Sequence, residues 1–247
     1  MQALAKSKRT MSQTTELTKE IKPIAIPQVH DRFYPFFKDL TNNKTDIHVL
    51  DVGAGHGAFT KKLHEEGYQV SACDLFPEIF YYDEVECKKA DLTQPLPYED
   101  GTFDIIIAIE VMEHILDHEV FFSECSRILK PGGSLVISTP NILSLKSRWR
   151  FLFSGFFYSF KPLQLTNNDG LQHVASLTLD QYHYLAIRNG LKLGRIEVDK
   201  RQNTSRLLLW LYPFIWWFNK RKKMDINIHN NIKLLTGRIL FAQFPKA

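Results

Sequence analysis

Cysteine is scarce in this chain of 247 residues: Cys73, Cys87 and Cys125 are the only three. They form no C-x-x-C pair and are odd in number, which excludes a disulfide scaffold and fits a reduced, cytoplasmic compartment. Long apolar runs are missing too. The longest, Leu207 to Phe218, has twelve residues with Pro213 among them, well short of the about twenty that span a bilayer. Met1 to about Lys22 has no apolar core of the secretory-leader kind and is expected to be a weakly ordered arm. There is no internal repeat and no low-complexity tract. Acid is absent from Cys125 to Asn168, and beyond Asp199 a single acid, Asp225, faces ten Lys and Arg residues. That tail therefore carries +9, leaving −5 on the preceding part of a chain whose net charge is +4.

Glycine is sparse as well, yet three of the twelve fall within five residues, in Val49-Leu50-Asp51-Val52-Gly53-Ala54-Gly55-His56-Gly57. Apolar residues run into an acid, glycines follow at alternate positions, and a helix-compatible stretch comes next. This reads as a strand, a tight turn and a helix start. Glycine allows positive φ and close approach of a ligand to the backbone, and a helix start offers unpaired N–H groups. The stretch also satisfies a loose dinucleotide pattern through Gly53, Gly55 and Ala58, so NAD is one candidate ligand. A turn with no ligand at all is another.

Further signals follow along the chain. Gln69 to Asp74 reads as a second strand ending in an acid, about twenty residues after the glycines; such a carboxylate accepts ribose hydroxyls or simply caps a turn. Lys89-Ala90-Asp91-Leu92 ends a third candidate strand. Thr102 to Ile109 is an almost unbroken apolar run, as a strand buried on both faces requires. It leads into Glu110-Val111-Met112-Glu113-His114, and Leu129-Lys130-Pro131-Gly132-Gly133 later joins a helix end to another strand. The order and spacing of these motifs, over roughly residues 47–198, resemble class I S-adenosylmethionine (SAM) dependent methyltransferases, in the type 11/23-like branch that includes the ubiquinone-biosynthesis O-methyltransferases. A dehydrogenase does not usually carry the set.

The resemblance implies a role for each matching residue. Asp51, Gly53, Ala54, Gly55 and Gly57 surround the methionine part of SAM. Asp74 takes the ribose, Asp91 with Leu92 the adenine, and Leu75 and Glu110 are also among the cofactor-binding residues. Glu113, His114 and His173 are the catalytic candidates, because a hydroxyl acceptor that loses a proton needs a base. Small-RNA 3′-end 2′-O-methyltransferases hold a divalent metal with a similar E-x-x-E-H and a later His. The resemblance therefore leaves a metal open, but no residue is assigned to one, and a structural role for the cluster is also open. His56 is expected to be a turn residue beside the cofactor.

The expected architecture is α/β: a Rossmann-like, doubly wound, mostly parallel seven-stranded sheet with an antiparallel last strand, forming one domain over 23–247. Strands are expected near 47–52, 69–74, 87–91, 104–109 and 134–139, and helices near 57–66, 117–130 and 178–189. Leu191 to Val198 and Leu235 to Ala242 alternate in strand fashion and are assigned to an antiparallel pair at the sheet edge. His30 to Leu40 is expected to be a short helix over the cofactor side, made irregular by Pro35. Insertions fall near 144–170 and 200–233. Both hold aromatic runs beside Lys and Arg, a combination suited to an anionic membrane surface, a lid or a dimer face. No RNA-binding module is visible. The expected function is methyl transfer from SAM to a small or lipid-linked acceptor, at a hydroxyl, by a protein peripheral on the inner face of the membrane. The alternatives are an NAD(P)-dependent oxidoreductase and a non-catalytic membrane-surface module with a relic cofactor fold.

Overall fold

The computed structural model describes residues 20–167 and 170–247. Most of the expected N-terminal arm, residues 1–19, and two residues of the first insertion lie outside the described residues. In chain order the elements are α1 (Val29–Leu40), β1 (His48–Val52), α2 (Ala58–Glu65), β2 (Gln69–Asp74), β3 (Cys87–Lys89), β4 (Phe103–Ile109), α3 (His118–Ile128), β5 (Leu129–Pro140), α4 (Leu145–Ser154), α5 (Leu179–Arg188), β6 (Ile196–Val198), α6 (Asn203–Leu207), α7 (Tyr212–Lys222), α8 (Ile226–His229), α9 (Ile232–Thr236) and β7 (Ile239–Pro245).

The seven strands form one sheet in the order β3-β2-β1-β4-β5-β7-β6. The first five are mutually parallel, and β7 runs antiparallel to both of its neighbours. The chain winds outward from β1 through β2 to β3, then crosses back to β4 on the other side of β1. The strand order reverses there, and such a switch point opens a crevice at the carboxyl ends of the strands.

β4 shows why the sheet is central. Its alternate residues feed two cores: Ile106 and Ala108 pack with α3 and α5 on one face, and Ile105, Ile107 and Ile109 pack with α1 and α2 on the other. On the second face α1 buries Val29, Phe33, Phe36 and Phe37, spaced to share one side of a helix. Phe33 meets Phe59 and Phe241 edge to face, with centroids 5.7 and 5.2 Å apart. Each such ring stabilises the fold by about 1.5–3 kcal/mol through burial.

Four expectations need correction. α1 runs unbroken through Pro35, which lies on the exposed side of the helix, away from the buried Phe33, Phe36 and Phe37. The helix packs on the sheet rather than over the cofactor side, and only its His30 reaches the cleft. At the sheet edge, the strand expected over 191–198 is regular only over Ile196–Val198. Opposite its first half stands Pro245, which has no N–H to give to the ladder. Finally, 235–236 belong to a short helix, not a strand, because the Asn231 side chain caps α9 by accepting from Leu234 N at 2.9 Å.

Candidate active site

The glycine turn closes the end of β1. Gly53, Gly55 and Gly57 all have positive φ, at 68°, 53° and 82°, conformations in which a side chain is strained. The carbonyl of Cys73 on β2 accepts from Gly53 N at 2.8 Å. Asp74 finishes the clasp: its Oδ2 accepts from Gly55 N and its Oδ1 from Phe76 N, both at 2.9 Å. The acid expected at the ribose thus also fixes the loop, and it still borders the cleft with lone pairs unused.

A cleft of about 700 Å³ lies over the turn at the switch point. Gly53, Ala54, Gly55, Asp74, Leu75, Asp91, Leu92, Glu110, Glu113, His114 and His173 all line it. Eleven of the thirteen residues singled out from the sequence therefore converge on one cavity.

Asp51 and Gly57 do not line it. Asp51 is 3% exposed and sits beneath the turn, where its Oδ2 accepts from the Thr60 hydroxyl of α2 at 2.6 Å. Burial pushes its carboxyl up to about 7, against the pull of the Thr60 hydrogen bond. Gly57 opens α2, and a Cβ there would meet Phe80 and Tyr82 rather than the cavity. His56 is stacked on Tyr81, ring centroids 4.9 Å apart, outside the lining.

At the other end of the cleft β4 delivers its acids. Glu110 holds φ at 56°, a left-handed conformation uncommon for a residue with a side chain, and such strain clusters at functional sites. Ser138 of β5 secures it: Glu110 N donates to the Ser138 carbonyl and hydroxyl, and that hydroxyl donates to Glu110 Oε1 at 3.0 Å. Glu113 is 1% exposed and accepts from the Thr139 hydroxyl at 3.2 Å. Its carbonyl accepts from Val174 N and Ala175 N, which ties the loop bearing His173 to the end of β4. His114 Nδ1–H donates to the Gln172 carbonyl at 3.0 Å, so a neutral ring carries its lone pair on Nε2.

Glu113, His114 and His173 each bring an oxygen or nitrogen to within 4.8 Å of the others. Glu113 Oε1, His173 Nδ1 and the neighbouring Glu110 Oε2 are buried without a hydrogen-bond partner among the described residues, which is costly unless something else meets them. Burial raises Glu113 well above the usual carboxylate range, helped by nearby Glu110. Burial, then His114 and Lys161, lower His173 to about 4. Such opposed shifts are what a site for proton handling or cation binding contains.

The sequence did not signal the cleft's apolar walls. Lys22 to Ile26 close one side, with Ile24 lying where a Cβ on Gly55 would have to go. Ile115, Leu116, Leu171 and Val174 close the side next to Glu113, His114 and His173. Thr139 was also missed. These residues carry no motif, and only the packing of distant segments brings them together.

Residues 50–137 match the family model described as a methyltransferase domain. The ubiquinone biosynthesis O-methyltransferase of Xanthomonas oryzae pv. oryzae (strain PXO99A) is 33% identical over 102 residues, 38% of this chain and 43% of that protein. The mitochondrial ubiquinone biosynthesis O-methyltransferase of Homo sapiens is 34% identical over 126 residues, 46% of this chain and 34% of that protein. The chain thus spans less than half the length of these curated relatives. A SAM-dependent methyltransferase from Mesorhizobium loti shares the fold over 87% of this chain and 98% of its own, with a TM-score of 0.56 at 15% identity. Residues 50–137 are thus similar to a methyltransferase domain, and the fold around them is that of a SAM-dependent methyltransferase of known structure.

Proposed function

We propose that this chain transfers the methyl group of SAM to a hydroxyl of a small or lipid-linked acceptor, working on the cytoplasmic side at the periphery of the membrane. The observation that carries the reading is the continuity of the cleft, from the glycine turn and Asp74 at one end to Glu113, His114 and His173 at the other. When bound, SAM supplies an electrophilic methyl on its sulfonium. Gly53 and Gly55 would let the ligand approach the backbone, Asp74 would accept from the ribose hydroxyls, and Asp91 with Leu92 would border the adenine. The apolar walls would exclude water from the transfer and leave the Glu113–His173 end of the cleft for the acceptor.

A hydroxyl must shed its proton as it takes the methyl. His173, held neutral by burial, and His114, with its lone pair on Nε2, are the bases in reach of that end of the cleft. A second reading has its own support. Glu113, His114 and His173 offer one oxygen and two nitrogens close together, with two of those side chains carrying orphaned buried atoms; this donor set suits a divalent cation such as Mg²⁺, Mn²⁺ or Zn²⁺. A cation there would lower the acceptor's pKa, and Glu113 would then be ionised.

Transfer from labelled SAM to a panel of phenolic, catecholic and prenylated hydroxyl acceptors tests the reading. His173→Ala and Glu113→Gln are expected to cut turnover by about 10²–10⁴-fold while leaving the affinity for S-adenosylhomocysteine nearly unchanged. Loss of turnover on dialysis against a chelator, restored by one divalent ion, selects the metal reading; indifference to the chelator selects the base. Equal turnover by both variants and the parent contradicts both.

A further inference from the structure

Beside the acceptor end of the cleft lies an apolar surface that methyl transfer does not explain. α4 exposes Trp149, Leu152 and Phe153, and α7 with the turn before it exposes Trp210, Phe214 and Trp217. The two stretches are far apart in sequence but form one body. Leu145 of α4, Leu208 and Leu235 share a buried cluster flanked by Tyr212 and Ile215. Lys146 N donates to the Ser205 hydroxyl at 3.0 Å, and the Arg148 guanidinium donates to the His229 carbonyl at 2.8 Å and to the Asn230 side chain at 2.6 Å. Of α7 itself only Asn219 is buried, so its rings find little cover among the described residues. Exposed apolar patches of this kind mark a surface that meets something.

A chain of rings leads from this surface to the site. Phe151 stacks on Phe157 at 4.4 Å, Phe157 meets Phe160 at 6.5 Å, Phe160 meets His173 at 5.3 Å, and His173 meets His114 at 5.0 Å. The charge around it is mostly positive, with Asp225 the single acid beyond Asp199. Lys220 lies 4.8 Å from the Trp216 ring centre and Arg221 lies 5.9 Å from that of Trp217. Lys222 and Lys223 follow, and the first stretch contains no acid. Two copies of the chain facing each other here would oppose like charges, which disfavours self-association. Rings that settle among headgroups, beside cations that meet anionic lipid, match a bilayer interface instead.

We infer that α4 and the α6–α7 stretch together form a single docking face for an anionic lipid bilayer. It places the acceptor end of the cleft next to the headgroup layer, and lipid delivery of the methyl acceptor to that end rests on the methyltransferase reading above. The docking itself does not.

Co-sedimentation of the full chain with vesicles tests it, using phosphatidylcholine alone and phosphatidylcholine mixed with phosphatidylglycerol. The chain should pellet with the mixed vesicles at low salt, much less with the neutral ones, and less as salt screens the attraction. Leu152→Ser with Phe153→Ser, and separately Trp217→Ser with Phe218→Ser, should each weaken binding by at least about tenfold, since each removes two buried apolar side chains from the interface. Lys220→Ala and Lys222→Ala should each cost about fivefold. Unchanged S-adenosylhomocysteine affinity in the variants certifies their fold. Full recovery in the supernatant at low salt overturns the inference, as does a concentration-dependent dimer or RNA binding that only these variants abolish. Binding that depends on one of the two stretches alone overturns the single face. A parent chain that pellets with lipid but does not bind S-adenosylhomocysteine removes the methyl-transfer reading and leaves the docking face standing.

Discussion

Asp51 and Asp74 stand at corresponding ends of adjacent strands, yet the fold uses them differently. Asp74 faces the cleft and clasps the glycine turn; Asp51 is turned under it toward Thr60. The sequence places both acids at the turn, but whether a strand-end carboxylate points up to a ligand or down to a helix is settled by the residue it meets, nine positions later in this case. The difference has consequences. Asp51 titrates at 3.8 when unfolded and at about 7 in the fold. Between those values the unfolded chain gives up the proton first, so rising pH favours unfolding, and above about 7 both states are charged and the whole penalty is present. At 1.36 kcal/mol per unit the penalty is about 4 kcal/mol. Asp51→Asn, which keeps the site neutral, should therefore gain about 4 kcal/mol over the parent between pH ~4 and pH ~8, read by urea denaturation at each pH. A constant difference between the two proteins across that range would remove the buried-carboxylate account. Asp74→Ala should weaken S-adenosylhomocysteine by at least about tenfold, about 1.4 kcal/mol, because it removes the proposed ribose acceptor and the clasp on Gly55 together; calorimetric titration reads it directly.

At the scale of elements, periodicity located what was long and strongly patterned. β1, β2, β4, α2, α3 and α5 lie within about two residues of their expected bounds, since their apolar residues recur at the spacing the sheet or helix demands. Short elements decided by a single side chain escaped. Leu235 to Ala242 alternates like a strand throughout, but Asn231 and Thr236 stabilise one helical turn first, and the strand starts only at Ile239. Gly237 is the joint between them. A Cβ there would overlap the side chain of Val198 on β6. Gly237→Ala should cost about 1–3 kcal/mol through overpacking, and since the clash lies at the sheet edge, thermal unfolding should shift down while cofactor affinity stays near the parent value. Retained stability would mean that β6 yields without cost.

At the scale of the whole molecule, the cleft is a product of topology. Crossing from β3 back to β4 sets the glycine turn, the β2 acid and the Glu110–His114 segment around one cavity, although they are spread over some sixty residues of chain. Motif order carried that much. It did not carry the segment Lys22 to Ile26 that walls the cavity, or the merging of two aromatic insertions into one surface, because neither has a local pattern tied to its partner. This cavity fits SAM. That fit is tested most directly by calorimetric titration of the purified chain with S-adenosylhomocysteine and, separately, with NADH. The expected result is one saturable site for S-adenosylhomocysteine, no heat from NADH, and added stability of about 2.7 kcal/mol at a hundredfold excess over Kd. Saturable heat from NADH with none from S-adenosylhomocysteine would contradict it.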